Sequence, residues 1–290
     1  MASTTANGIT VEYETVGDSA DPALLLVMGL GAQLISWPLA FCEALAAEGF
    51  HVIRFDNRDV GLSTKVEDGP RPDVAAAFTG DHSSASYTLD DMADDAVGLL
   101  DALGIDAAHV VGASMGGMIA QTMAIRHPAR VRSLCSIMST TGDPAAGVPT
   151  PEALAVLLRP PARTRDEAVA NSIQASRVIG STGFEVPEAV LRSRAEQSYD
   201  RCFYPVGIAR QLVAVHASGD RTEALRELDV PTLVIHGSVD PLVPPAGGEL
   251  TAKAIPGAEL LVVDGMGHDL PEGAWPTLIP AIVANTKRAA

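Results

Sequence analysis

The chain has 290 residues, 47% of them hydrophobic and 19% charged, which is enough to bury a large core in one or two domains. Its formal net charge of -16 repels phosphate backbones, so nucleic acid is excluded as an expected partner. Its three cysteines, Cys42, Cys135 and Cys202, have spacings that suit neither a disulfide framework nor a zinc site.

Met1 to Ala6 show neither the basic segment nor the apolar run of a targeting signal. No stretch reaches the ~18 apolar residues that a membrane span needs, so a cytoplasmic protein, monomeric or homodimeric, is expected. Asn7-Gly8 is a hairpin signal, with Ile9 to Thr15 alternating as its second strand. Ala23 to Met28 is an unbroken apolar run of the kind buried on both faces. It ends in Gly29-Leu30-Gly31, where glycines let backbone N–H groups come close to a ligand. The dinucleotide fingerprint fails there, because Leu34 stands where its third glycine would fall. Trp37 to Glu48 reads as a helix and His51 to Phe55 as a strand. Asp56 to Ser63 reads as a polar loop held together by its own charges, and Lys65 to Tyr87 as further loop.

Thr88 and Asp91 make a capping-box pattern ahead of the apolar face Leu89, Met92, Ala96, Leu100 and Leu103. A buried strand, His109 to Val111, then runs into Gly112-Ala113-Ser114-Met115-Gly116 and on into a helix. Gly-x-Ser-x-Gly between strand and helix is the pattern of a nucleophile elbow, in which a strained turn lifts the serine hydroxyl clear of a sheet. The helix that begins there aims its free N–H groups and positive dipole end at any oxyanion formed beside the serine. Val131 to Met138 is another buried strand, and the alternation of strands with helices predicts an α/β fold with a doubly wound, mostly parallel sheet.

From Ser139 the rhythm breaks. A Pro/Gly-rich joint over 142–150 leads into helical segments near 151–158, 164–179, 187–199 and 205–217. The sheet resumes at Pro231 to Gly237 and Glu259 to Val263, and a last helix starts at Trp275. The expected organisation is therefore a core of residues 1–140 and 229–290 with an inserted helical cap over 141–228. The cap's apolar side chains, among them Ile179, Phe184, Phe203, Tyr204 and Leu212, are expected to divide between packing on the core and lining a pocket for a bulky apolar acyl group.

A serine nucleophile needs a base and an orienting acid, each on a loop at the carboxyl end of a strand. Asp240 follows the strand that ends at Gly237, with Pro241, Pro244 and Pro245 stiffening the loop behind it, and His268 follows the strand that ends at Val263. Asp143 and Asp264 are weaker candidates for the acid, and His236, before a glycine at a strand end, reads as structural. Neither zinc-ligand spacing nor a nucleotide fingerprint is present, so no metal or organic cofactor is expected. Position 114 is not an aspartate, which disfavours chemistry through an ester intermediate on Asp.

Over essentially its full length the chain resembles the α/β-hydrolase-fold esterases, and within them the polyketide methylesterases of the aclacinomycin type. The matching words are Ala23 to Gly29, His51 to Arg54 with Asp56 and Arg58, Ala108 to Gly112, Val230 to Ile235, and Gly265 to His268. The order Ser114, Asp240, His268 is the order of that fold's triad. The resemblance implies that these three are the catalytic set and that the N–H groups of Leu30 and Met115 form the oxyanion hole. Leu30 stands where the resembled esterases have a second glycine, and the insertion shows little likeness, so their substrate does not carry over. The expected activity is hydrolysis of an apolar small-molecule carboxylic ester. A perhydrolase or haloperoxidase, and a lactone or C–C hydrolase, share the same three groups and stay open as alternatives. A non-catalytic ligand receptor would have no need of all three.

Overall fold

A computed structural model describes residues 1–289. Eight strands, β1 (Ala2–Ala6), β2 (Ile9–Val16), β3 (Ala23–Val27), β4 (His51–Phe55), β5 (Ala108–Ala113), β6 (Val131–Ile137), β7 (Thr232–Gly237) and β8 (Glu259–Val263), form one sheet. Their order is β1-β2-β4-β3-β5-β6-β7-β8. The β1–β2 hairpin, turned by Asn7 and Gly8 at positive φ, adds to β4 in antiparallel register. All pairs from β4 to β8 are parallel.

Every residue of β3, β5 and β7 is buried, because helices cover both faces of the sheet. Successive side chains of a strand point to opposite faces, and β3 shows it. Leu25 and Val27 join the cluster that contains Met92, Leu100 and Met123, whereas Leu24 and Leu26 join the one that contains Phe41, Leu45 and Leu278. The first face is covered by α3 (Leu89–Ala102) and α4 (Met115–Arg126), the second by α1 (Leu39–Ala47) and α11 (Trp275–Thr286). Thr88 and Asp91 cap α3 reciprocally, as their spacing predicts. β8 is as apolar as the central strands, yet Leu260 and Val262 are exposed, because it has a neighbour on one side only. Among the described residues no helix is long and apolar enough to cross a membrane.

Two helices lie where the sequence reads as loop. Within 65–87, Asp73 caps a single short helix, α2 (Val74–Phe78). After β7, α10 (Pro245–Ala254) starts on the prolines that read as loop stiffeners. Proline costs nothing at a first helical turn, where its missing N–H has no partner to lose.

Between β6 and β7 lie α5 (Pro151–Leu157), α6 (Arg165–Ile179), α7 (Glu188–Arg201), α8 (Pro205–Ser218) and the short α9 (Thr222–Leu225). The two stems of this segment are tied together at Arg221. Its N–H donates to the Thr141 carbonyl at 2.9 Å, and its buried guanidinium donates to the Thr140 carbonyl at 3.0 Å and Gln121 Oε1 at 3.3 Å. Burial pushes Arg221 down to about 10. α6 and α7 share a small apolar cluster of Val169, Ile173 and Ala195, while α8 buries Leu212, Val213 and Ala214. Phe184 packs on the cluster around α11.

Candidate active site

β5 delivers Ser114 at its carboxyl end, and α4 begins at the next residue. Ser114 sits at φ 57° and ψ -122°, a conformation that costs a non-glycine residue on the order of 1–3 kcal/mol. The flanking glycines are what make the turn possible. A Cβ on Gly112 would lie 2.1 Å from the Gly116 carbonyl oxygen, and one on Gly116 would lie 2.1 Å from that of Val27. The turn is pinned by the Ser114 N–H, which donates to the Ile137 carbonyl at 2.8 Å.

Ser114, His268 and Asp240 lie far apart in the chain and together in space. His268 Nε2 is 2.9 Å from Ser114 Oγ, and its Nδ1 is 2.7 Å from Asp240 Oδ2. A neutral imidazole that donates from Nδ1 to the carboxylate leaves Nε2 free to accept from the serine hydroxyl. Asp240 is buried, and its second oxygen, Oδ1, accepts from the N–H groups of Leu242 and Val243, both at 2.9 Å. Burial alone would raise this carboxyl. The neighbouring His236 and His268 imidazoles and the Val243 N–H outweigh it and hold Asp240 at about 2. His236 Nε2 stands 3.6 Å from Asp240 Oδ2 and donates to the Val243 carbonyl at 2.9 Å, so it braces the loop that carries the acid.

The other candidates lie elsewhere. Asp264 is exposed and accepts from Ser238 Oγ at 3.0 Å, and Asp143 caps a 3-10 turn through the Ala145 N–H at 2.8 Å. His127 pairs with Asp94 at 2.6 Å, and His109, pushed down to about 4 by burial, meets Ser133 Oγ at 2.9 Å.

The backbone N–H groups of Leu30 and Met115 make no hydrogen bond among the described residues. The Gly29 backbone packs directly against Ser114, since a Cβ there would lie 3.0 Å from the serine Cβ. The turn after β3 is held from three sides. Gln211 Oε1 accepts from the Gly31 N–H at 2.8 Å, Asp56 Oδ1 accepts from the Leu34 N–H at 2.7 Å, and Asn57 Nδ2 donates to the Met28 carbonyl at 2.9 Å. Gln211 is fully buried and also donates to the Arg58 carbonyl at 2.8 Å. Nothing in the local pattern of α8 marks it out.

Within the 56–63 loop Asp56 Oδ2 accepts from the Leu62 N–H at 2.8 Å, but the ion pairs of its charges reach outside it. Asp56 pairs with Arg201 of α7 at 2.7 Å, Asp59 with Arg210 of α8 at 3.6 Å, and Arg58 with Asp95 of α3 at 2.6 Å.

A family model described as the alpha/beta hydrolase fold matches residues 22–273. The chain belongs to the α/β-hydrolase-fold family. Two relatives in that family match along almost the whole length. Rhodomycin D methylesterase DauP of Streptomyces sp. (strain C5) is 31% identical, over 98% of this chain and 97% of that protein. Rhodomycin D methylesterase DnrP of Streptomyces peucetius is 30% identical over the same shares. Among solved structures, a mutant of the meta-cleavage product hydrolase CumD from Pseudomonas fluorescens IP01, complexed with acetates, superposes with a TM-score of 0.80. It has 22% identity and covers 100% of this chain and 98% of that one, a likeness of fold.

Proposed function

We propose that the protein is a serine hydrolase that cleaves a carboxylic ester of a neutral, largely apolar small molecule. The observation that carries this reading is the continuous chain of hydrogen bonds from Asp240 through His268 to Ser114 on a strained turn. His268 Nε2 takes the hydroxyl proton while Ser114 Oγ attacks the ester carbonyl carbon. The oxyanion that forms is met by the free N–H groups of Leu30 and Met115. Collapse breaks the bond to the alcohol, which leaves with the proton from His268. Water, deprotonated by His268, then attacks the acyl-enzyme and releases the acid. Asp240 holds the imidazole in the required tautomer and stabilises its cationic form throughout. Full-length likeness to two methylesterases supports ester hydrolysis.

Residues 141–228 act as a cap over this site in our reading, and the substrate's bulk lies on the acyl side. A cavity of about 200 Å³ is lined by residues of α6, α7 and α8 on one side and of the turns after β3 and β4 on the other. Its wall includes neither Ser114 nor His268, and from the turn after β3 it includes Gly31, the residue after Leu30. Tyr199, Phe203, Tyr204 and Ile208 supply much of the wall, and no lining residue carries a charge. The nearby cations are engaged elsewhere: Arg201 with Asp56, and Lys65 with the carbonyls of Val60, Gly61 and Ser63. An anionic acyl group would find no free partner there, which favours a neutral ester.

Acetyl, hexanoyl and polycyclic aromatic esters of one alcohol test the reading. Each extra buried methylene is expected to raise kcat/KM up to about fourfold, from ~0.8 kcal/mol of burial. If the acetyl ester is the best of the three, the pocket is small and the bulky-acyl assignment fails.

A further inference from the structure

We propose that residues 179–183, at the carboxyl end of α6, act as a strap that sets the position of the His268 imidazole, with Ser181 and Asp269 as its positioning residues. The inference rests on the reading of Ser114, His268 and Asp240 as the catalytic set.

The loop that carries His268 leaves β8 and has no regular structure of its own before the short turn that leads into α11. Its backbone takes four hydrogen bonds from the strap and two more, at the Gly265 N–H and the Met266 carbonyl, from Ser238 and Val239 after β7. The His268 N–H donates to the Ile179 carbonyl at 2.7 Å, and the Gly267 N–H donates to Ser181 Oγ at 3.0 Å. In the other direction, the N–H groups of Thr182 and Gly183 donate to the Gly265 carbonyl at 3.0 and 2.8 Å. Ser181 also donates from both its N–H, at 3.0 Å, and its hydroxyl to Asp269 Oδ1. One serine hydroxyl thus accepts from the residue before His268 and donates to the residue after it.

The approach is too close for ordinary side chains. A Cβ on Gly183 would lie 2.8 Å from the Gly265 Cα, and a Cβ on Gly267 would lie 2.4 Å from the Gly180 carbonyl oxygen. These bonds bracket the imidazole on both sides in sequence. Backbone freedom at Gly267 would otherwise let the ring swing away from the 2.9 Å contact with Ser114. The insertion therefore does more than cover the site, because its α6 end is part of the frame that holds the base.

The test uses the full chain and one ester with measured kcat and KM. Ser181→Ala and Asp269→Ala are each expected to lower kcat between about tenfold and 10²-fold, as a displaced catalytic group does, with KM kept within about twofold. The double variant is expected to cost about what either single one costs, because the two residues act as one unit. Ser181→Thr keeps the hydroxyl and is expected to restore kcat to within about threefold of wild type. A folded Ser181→Ala or Asp269→Ala variant with a lowered Tm and wild-type kcat would make the contact merely structural and overturn the proposal. So would a folded Ser181→Thr that is as slow as Ser181→Ala. Ser114→Ala run alongside separates the two claims: if it stays active, the catalytic set itself is misread, whatever the strap variants do.

Discussion

Ser114→Ala is expected to yield a folded protein whose ester turnover is lower by on the order of 10⁴-fold or more. Alanine at φ 57° meets nearly the same strain as serine, and the glycine contacts at 112 and 116 are untouched, so little of the fold depends on the hydroxyl. Ser114 Oγ makes one side-chain hydrogen bond, with His268 Nε2. Its loss removes the group placed to form an acyl-enzyme, while the N–H groups of Leu30 and Met115 remain to give a small residual rate. A folded variant that keeps a tenth of wild-type activity would contradict the assignment.

Asp240→Asn is expected to cost roughly 10⁴-fold in kcat, and Asp264→Asn far less. An amide at 240 keeps the shape but can present N–H₂ toward His268 Nδ1, which selects the tautomer that cannot accept from Ser114. Asp264 is exposed and bound to Ser238, without a hydrogen bond to His268. A larger loss at Asp264 than at Asp240 would reverse the choice of acid. The substitution also has a stability signature. The folded carboxyl is held at about 2 against an ordinary value of 3.8, so its ionisation stabilises the protein by roughly 2 kcal/mol at neutral pH. Because the folded value is depressed, that contribution is complete above the unfolded value and fades as pH falls from about 4 toward 2. Thermal unfolding across about pH 2–5 is expected to show a shallower acid loss in Asp240→Asn than in the wild type.

The parallel core is legible in the sequence because strands buried on both faces must be apolar nearly throughout, as Ala23 to Val27 and Leu233 to Ile235 are. Ser114 is legible for a related reason: the turn it occupies tolerates only glycine at 112 and 116, which leaves a spaced pattern. Asp240 and His268 are found by their position after strands rather than by a motif of their own. Where a residue acts through a distant partner, the local pattern carries no mark. Gln211 reaches Gly31 across 180 positions, and Ser181 reaches Asp269 across 88. α10 escapes for the opposite reason, since Pro244 and Pro245 look like breakers although proline suits a first turn. The charged loop after β4 reads as self-supporting, but its ion pairs run to Asp95, Arg201 and Arg210, and they follow only once α3, α7 and α8 are in place.

Covalent capture tests the central claim most directly. Wild-type protein treated with a fluorophosphonate and digested should carry the adduct on the peptide containing Ser114, in step with loss of ester turnover. The Ser114→Ala protein should take up none. An adduct on another residue, Ser136 or Ser139 for instance, or full activity in protein that never becomes labelled, would contradict the account.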